Sequence, residues 1–495
     1  MYQVYPRSFL DTTGSGTGDL DGVAARLDHL AWLGVGALWL SPIHPSPGVD
    51  GGYDVADYRD VDACFGGLPA FDRLLAAARE RGIRVLLDWV PNHTSDAHPW
   101  FVSSRRDPAG PHGDWYWWAD EPANNWPSAF GGPAWTFDPV RGQYYLHLFT
   151  PAQPDLNWNR PGVRAAMLDG LRFWLDRGVA GFRADVVNLI GRDPALADAV
   201  LSDPANLNEF VGGYRDPRTH DLLREIRAVL DGYPDERVIV GEVPLADQPA
   251  VSSYVDDEQL SAAFDFSLMA APWSAEAWRT RIAAAEQAYG SRGAPAWALS
   301  SHDQARHRTR HGDREDRARV AATVLLTLRG TPFVYQGEEL GLTDAVIPPE
   351  RRRDPLGRDG SRAPVPWTAE PDHGWASADP WLPWPPHAAT HNAAVLRADE
   401  DSILWLYRRL IALRRTHPAL RDGDLTLLDS QEDVLAYRRG GDLMVVANFG
   451  DRPVPCQGQV LLASAPAGCV DGVLAPCSAA ILRCPVDSPK GPRDA

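Results

Sequence analysis

Gly178-Val-Ala-Gly-Phe-Arg-Ala-Asp-Val-Val187 reads as an apolar strand that delivers Arg183 and Asp185 at its carboxyl end. Residues two apart on a strand share a face, so a guanidinium and a carboxylate point the same way. A nearby positive charge favours the charged form of a carboxylate, and an ionised, oriented carboxylate can act as a nucleophile.

Outward from this stretch the chain alternates strand and helix. Apolar strands are predicted over residues 2–7, 36–40, 83–87, 237–240, 263–268, 296–299 and 332–335. Helices are predicted over 20–33, 70–81, 162–177, 219–231 and 402–416. Alternation of this kind implies a parallel sheet, and eight such units imply an eight-stranded (β/α)8 TIM barrel, whose strand ends converge on one mouth. Asp88, His93, Asp185, Glu242, His302 and Asp303 all follow predicted strands. The barrel is expected over residues 1–93 and 162–416. Residues 94–161 are rich in Trp, Pro, Gly and Asn and interrupt the alternation, and a stretch that long is expected to form a small inserted domain after strand three. From about Asp424 the pattern becomes period-two with no helix, implying an antiparallel β-sandwich domain over 417–487. Residues 488–495 are expected to be a disordered tail.

A chain of 495 residues is too long for one core. Its net charge of -18 argues against nucleic acid or an anionic membrane as partner. No run of eighteen apolar residues and no export signal is visible, so a cytoplasmic location is expected. Five cysteines without metal-site spacing are expected to be reduced thiols; the four late ones could in principle pair, but are expected as buried strand thiols. Three carboxylates, two histidines and an arginine at one barrel mouth, in a chain with 19 tryptophans and 14 tyrosines, fit glycosidic-bond hydrolysis. That reaction needs one carboxylic acid to protonate the leaving oxygen and one carboxylate to meet the oxocarbenium-like centre.

The motifs Asp88-Trp-Val-Pro-Asn-His93, Gly181-Phe-Arg-Ala-Asp185, Gly241-Glu-Val243, Ser301-His-Asp303 and Gly330-Thr-Pro-Phe-Val-Tyr-Gln-Gly-Glu338 occur in this order. Together they resemble the α-glucosidases of the α-amylase family, glycoside hydrolase family thirteen. Gln153-Pro-Asp-Leu-Asn157 resembles the signature of its oligo-1,6-glucosidase branch, and Arg358-Asp-Gly-Ser-Arg-Ala-Pro-Val-Pro-Trp367 resembles the stretch after strand eight in bacterial members. The resemblance implies that Asp185 is the nucleophile, Glu242 the general acid and base, and Asp303 the carboxylate that grips the 2- and 3-hydroxyls. It implies that Arg183 orients Asp185 and that His93 and His302 donate to sugar hydroxyls. Tyr53 and Asp54 would bind the terminal glucose, with Arg362 bridging to Asp54, closing the pocket so that glucose is released one unit at a time. The implied substrates are short α-1,4- and α-1,6-linked oligosaccharides, hydrolysed with retention. Valine at 186 goes with tolerance of α-1,6 bonds in similar enzymes, and threonine with α-1,4 preference.

Several features depart from the pattern. Thr13 and Ser15 in the loop Asp11–Asp19 stand where relatives often have Asn and Asp, so no cofactor is expected, and hydroxyl and backbone hydrogen bonds should hold this candidate calcium loop. Ser301 replaces the usual asparagine before His302. Relatives have a longer lead-in to the first strand, which is therefore expected to be frayed. The alternatives are glucosyl transfer or trehalose- or sucrose-type isomerisation at the same site, and a non-catalytic sugar-binding relative, against which the retained Asp185, Glu242 and Asp303 argue.

Overall fold

A computed structural model describes residues 1–199, 215–291 and 293–484. Eight parallel strands close a barrel: β1 (Tyr2–Val4), β2 (Ala37–Leu40), β3 (Arg84–Trp89), β4 (Gly181–Ala184), β5 (Val238–Gly241), β6 (Ala262–Asp265), β7 (Ala296–Ala298) and β8 (Thr331–Tyr335). β1 is three residues long but not frayed: it is buried, and it pairs with β2 on one side and β8 on the other. The expected tail lies outside the described residues.

The strand sequences sort into two faces. Trp39, Leu86, Val240, Phe264, Ala298 and Phe333 fill the barrel interior. Leu38, Leu40, Val85, Leu87 and Ile239 pack outward into the core shared with the helices. This is the two-residue alternation of a strand with apolar packing on both faces. Gly181 opens β4 where only a glycine fits: a Cβ there would lie 2.0 Å from the Val238 carbonyl oxygen. That close approach lets β4 run tight against β5 and carry Arg183 and Asp185 to the mouth.

The helix expected over residues 20–33 is two, Leu20–Ala25 and Leu27–Leu33. They break at Arg26, whose guanidinium lies 4.7 Å from the centroid of the Trp367 ring. Between β3 and the helix Pro161–Arg177 stands a three-stranded antiparallel sheet of Trp118–Ala119, Gln143–Leu146 and Trp135–Asp138. Trp135 of this sheet, with Trp117 and Trp126 from the segments beside it, forms a cluster that includes Val186, the residue after Asp185.

In the loop Asp11–Asp19, Asp11 accepts from Thr13 N and Oγ1, Gly14 N and Gly16 N. Asp19 accepts from Thr12 N and Oγ1 and from Gly22 N. Both carboxylates face N–H and O–H donors, and no cluster of three or more His, Cys, Asp or Glu among the described residues could hold a metal ion. A calcium site, which needs six or more oxygen ligands, does not fit this donor set.

Downstream, β9 (Leu425–Leu428), β10 (Val434–Arg439), β11 (Leu443–Asn448), β12 (Gln459–Ala463) and β13 (Ser478–Arg483) form an antiparallel sheet in the order β9-β10-β11-β13-β12. Leu435, Tyr437, Val445, Ala447 and Ile481 face the barrel core. Val434, Ala436, Val446, Ala480 and Leu482 face the other way, against Val454, Cys456 and Leu474 of a small second sheet. Arg439 is fully buried and ties the sheet to the barrel. It donates to the carbonyls of Thr327, Leu420 (3.1 Å) and Gly423 (2.8 Å).

Removing that guanidinium leaves three carbonyls to find other donors, each costing about 1–3 kcal/mol if it fails. Arg439→Met is expected to destabilise the protein by about 2–4 kcal/mol, seen as a lower unfolding midpoint in denaturant. An unchanged midpoint would remove Arg439 from this role.

Candidate active site

Arg183 lies at the centre of the barrel mouth, 2% exposed. Its Nη1 contacts Asp88 Oδ1 at 2.9 Å and Asp185 Oδ1 at 2.6 Å, and its Nη2 contacts Glu242 Oε2 at 2.6 Å. One planar guanidinium therefore spans the carboxylates at the ends of β4 and β5. Asp88, from β3, also accepts from Trp39 Nε1 and the Tyr53 hydroxyl, each at 3.0 Å. It is a packed counter-charge for Arg183 and lies behind the other two carboxylates.

Burial pushes the Asp185 carboxyl up, Arg183 pulls it down, and the Glu242 and Asp88 charges push it up again, so that it stands well above the usual carboxylate range. Three carboxylates around one guanidinium are a surplus of negative charge. A proton stays in this cluster to higher pH than an isolated carboxyl would hold it.

Val186 follows Asp185 with left-handed backbone, φ 34° and ψ 42°, a conformation costly for a β-branched residue. The turn points its N–H at Glu242 Oε2, 3.2 Å away. The Glu242 carboxylate is held through Oε2 and the Asp185 carboxylate through Oδ1.

Asp303, after β7, has the opposite environment. Burial opposes its ionisation, but His302 and the Arg362 and Arg358 guanidinium groups outweigh it and hold the carboxyl well below the usual range. Arg358 Nη1 and Arg362 Nη2 reach Asp303 Oδ1 at 2.9 and 3.1 Å. Gln3 Nε2 donates to His302 Nδ1 at 2.8 Å, which leaves the ring proton on Nε2. That nitrogen faces the Tyr53 hydroxyl at 2.7 Å and Asp303 Oδ2 at 3.0 Å. The Tyr53 and His302 rings are stacked, with centroids 5.4 Å apart. His93 is held neutral by burial, with a pKa lowered to about 3.

Two hollows meet at Glu242 and Asp303. One, of about 230 Å³, is lined by Asp50, Tyr53, His93, Asp185, Val186 and Arg358, among others. The other, of about 420 Å³, is lined by Val243, Leu245, Phe266 and Met269, among others. Of the residues singled out in the sequence, Tyr53, His93, Asp185, Glu242 and Asp303 line the smaller hollow, and Arg183 and His302 line the larger.

Asp54 and Arg362 do not form the expected bridge. Asp54 is fully buried in its own loop, accepting from Ser46 Oγ (2.8 Å), Val49 N (3.0 Å) and Asp50 N (3.2 Å). Arg362 binds the His302 carbonyl, Asp303 and Asp354. The bridge across the hollow is made by Asp50 and Arg358, with Asp50 Oδ1 on Arg358 Nη2 at 2.6 Å and Asp50 Oδ2 on Gln153 Nε2 at 3.1 Å. Arg358 opens the stretch Arg358–Trp367, while Asp50 lies outside every motif of the sequence. Gly51 and Gly52, at φ 61° and 111°, turn the chain so that Asp50 and Tyr53 face one space while Asp54 faces back.

Residues 3–423 match the family model described as Alpha amylase, catalytic domain, and residues 420–482 match a domain of unknown function, DUF3459. The chain belongs to the α-amylase family. As a member of glycoside hydrolase family thirteen it is a glycoside hydrolase. It is 41% identical to a probable α-glucosidase of Rhizobium meliloti, over 89% of this chain and 86% of the relative. It is 36% identical to an oligo-1,6-glucosidase of Parageobacillus thermoglucosidasius, over 91% and 90%. Among solved structures, the α-glucosyl transfer enzyme XgtA superposes with a TM-score of 0.90 at 39% identity, covering 97% of this chain and 98% of that one. The trehalulose synthase MutB from Pseudomonas mesoacidophila superposes at 0.91 with 35% identity, over 97% and 98%.

Asp50→Asn and Asp54→Asn separate the two acidic residues. Asp50→Asn is expected to lower kcat/KM on an aryl α-glucoside by about 100-fold or more, since it removes a charge-assisted bridge in the hollow, with thermal stability near wild type. Asp54→Asn is expected to lower the melting temperature first. The reverse pattern would restore Asp54 as the residue facing substrate.

Proposed function

We propose that this glycoside hydrolase is a retaining α-glucosidase that removes single glucose units from the non-reducing end of short α-1,4- and α-1,6-linked oligosaccharides. The observation that carries the reading is the Arg183 guanidinium shared by Asp185 and Glu242, which holds two carboxylates within reach of one sugar ring. In retaining enzymes such a pair lies about 5–5.5 Å apart.

In the first step Asp185 attacks the anomeric carbon with Oδ2, its Oδ1 being held by Arg183. The glycosidic bond breaks, and its oxygen takes the proton from Glu242 Oε1, since Oε2 is held by Arg183 and the Val186 N–H. In the second step Glu242 takes a proton from water, whose oxygen displaces Asp185 from the same carbon, and glucose leaves with its configuration retained. Asp303, ionised throughout, accepts hydrogen bonds from the 2- and 3-hydroxyls. Tyr53, His93 and the Asp50–Arg358 pair bound the glucose, and the small size of this hollow, about 230 Å³, supports release of one unit at a time. An electrostatic site fixed in advance supplies much of the barrier lowering in such reactions.

Glucosyl transfer is the second reading. The larger hollow on the far side of Glu242, lined by Val243, Leu245, Phe266 and Met269, gives an acceptor sugar or alcohol a place to meet the covalent intermediate before water does.

Asp185→Asn is expected to reduce turnover of an aryl α-glucoside by at least about a thousandfold, and retained activity would overturn the assignment. Val186→Thr is expected to lower the isomaltose-to-maltose ratio of kcat/KM by several-fold, because the side chain lines the glucose hollow beside Asp185 and Pro244. An unchanged ratio would remove residue 186 from linkage choice.

A further inference from the structure

The second sheet of the carboxyl-terminal domain is made of Val454–Pro455, Cys469–Val470 and Val473–Leu474, with the last pairing to both others. Asp471 and Gly472, both with positive φ, turn Cys469–Val470 back onto Val473–Leu474. The Cys456 N–H donates to the Gly472 carbonyl at 2.8 Å, which fixes the start of one cysteine-bearing segment against the turn that follows the other. The two side chains converge on the apolar cluster with Leu474 and Leu482, and their sulfur atoms stand 2.7 Å apart. A disulfide bond is about 2.05 Å long, so joining them asks for a shift of well under an ångström.

The other three thiols have different neighbours. Cys477 lies near Arg314 Nη2 (3.4 Å) and the Phe449 carbonyl (3.9 Å), and Cys484 near the Gln457 carbonyl (3.9 Å). Cys64 is exposed, remote in the barrel.

We propose that Cys456 and Cys469 are a built disulfide site, closed by exchange with a small-molecule disulfide such as oxidised glutathione. Cys469, half-buried, meets the reagent first and Cys456, buried, completes the bond. The Cys469 thiol loses its proton to solvent and its sulfur attacks one sulfur of glutathione disulfide. A mixed disulfide forms as the glutathione S–S bond breaks, and one glutathione leaves as the thiolate, which takes up a proton. The Cys456 thiol then loses its proton, its sulfur attacks Cys469 Sγ, and the second glutathione leaves in the same way. Two cysteines are oxidised and one glutathione disulfide is reduced to two thiols. Burial, which pushes the Cys456 thiol up to about 12, is in keeping with Cys469 reacting first.

The closed loop, residues 456–469, contains β12, an edge strand whose pairing with β13 is irregular between Val460 and Leu462 and whose Val460 is exposed. Cross-linking the ends of a loop removes freedom from its opened states, so the bond should hold this edge strand onto the sheet and shield an exposed strand edge from pairing with another chain.

The test treats the full chain with oxidised glutathione and reads intact mass, the number of free thiols, linked peptides and hydrogen exchange. Expected are a mass lower by two hydrogens, a fall from five free thiols to three, a peptide linking Cys456 to Cys469, and exchange over residues 457–468 slowed several-fold and restored by dithiothreitol. Cys456→Ser should trap a glutathione adduct on Cys469, with activity on an aryl α-glucoside unchanged as the control for folding. Five titratable thiols after treatment, a stable glutathione adduct in the wild-type chain without a cross-link, or a cross-link between other cysteines would each overturn the proposal.

Discussion

The site depends on one buried cation that has too many anions. Arg183 reaches into the barrel mouth from β4 and meets Asp88, Asp185 and Glu242 together, each within 3 Å. A charge this deeply buried is tolerated only when paired and hydrogen-bonded, and here the pairing also sets geometry. The planar fork has fixed directions, so holding Asp185 through Nη1 and Glu242 through Nη2 fixes how the end of β4 stands relative to the end of β5. Asp88, locked by Trp39 and Tyr53, anchors the fork from behind.

A second charge system, with two guanidinium groups for three carboxylates, stands across the same hollow. Arg358 and Arg362 both reach Asp303, and Asp50 and Asp354 complete the network. The first cluster, rich in carboxylates, retains a proton. The second, with both guanidinium groups on Asp303, keeps it ionised. Burial keeps His93 neutral beside the amides of Asn92 and Gln153.

The strand alternation made the barrel legible in the sequence, because helix and strand periods differ and the strands are short, apolar runs. Strand-end residues such as Asp185, Glu242 and Asp303 were legible for the same reason: in this fold every strand ends at one mouth. The Asp50–Arg358 bridge was not: Arg358 lies in a motif, but Asp50 lies in none. The positive-φ turn through Gly51 and Gly52 decides which of Asp50 and Asp54 faces the hollow, and a tertiary contact decides which of two arginines four residues apart reaches it. The break at Arg26 was hidden because its partner, Trp367, lies hundreds of residues away. Pairing among the four late cysteines was open in the sequence, but which two meet was not legible, since Cys456 and Cys469 come together only after the turn at Gly472 and the strand Val473–Leu474 fold between their segments.

The direct test is to capture the covalent intermediate with a fluorinated α-glucosyl fluoride, whose electron-poor ring slows the second step more than the first, and to locate the added mass by peptide sequencing. The expected result is a single glucosyl adduct on the carboxylate of Asp185, formed and then released at a rate that an added sugar acceptor increases. An adduct on Glu242 or Asp303, or turnover that gives β-glucose with no adduct at all, would contradict the division of roles around Arg183.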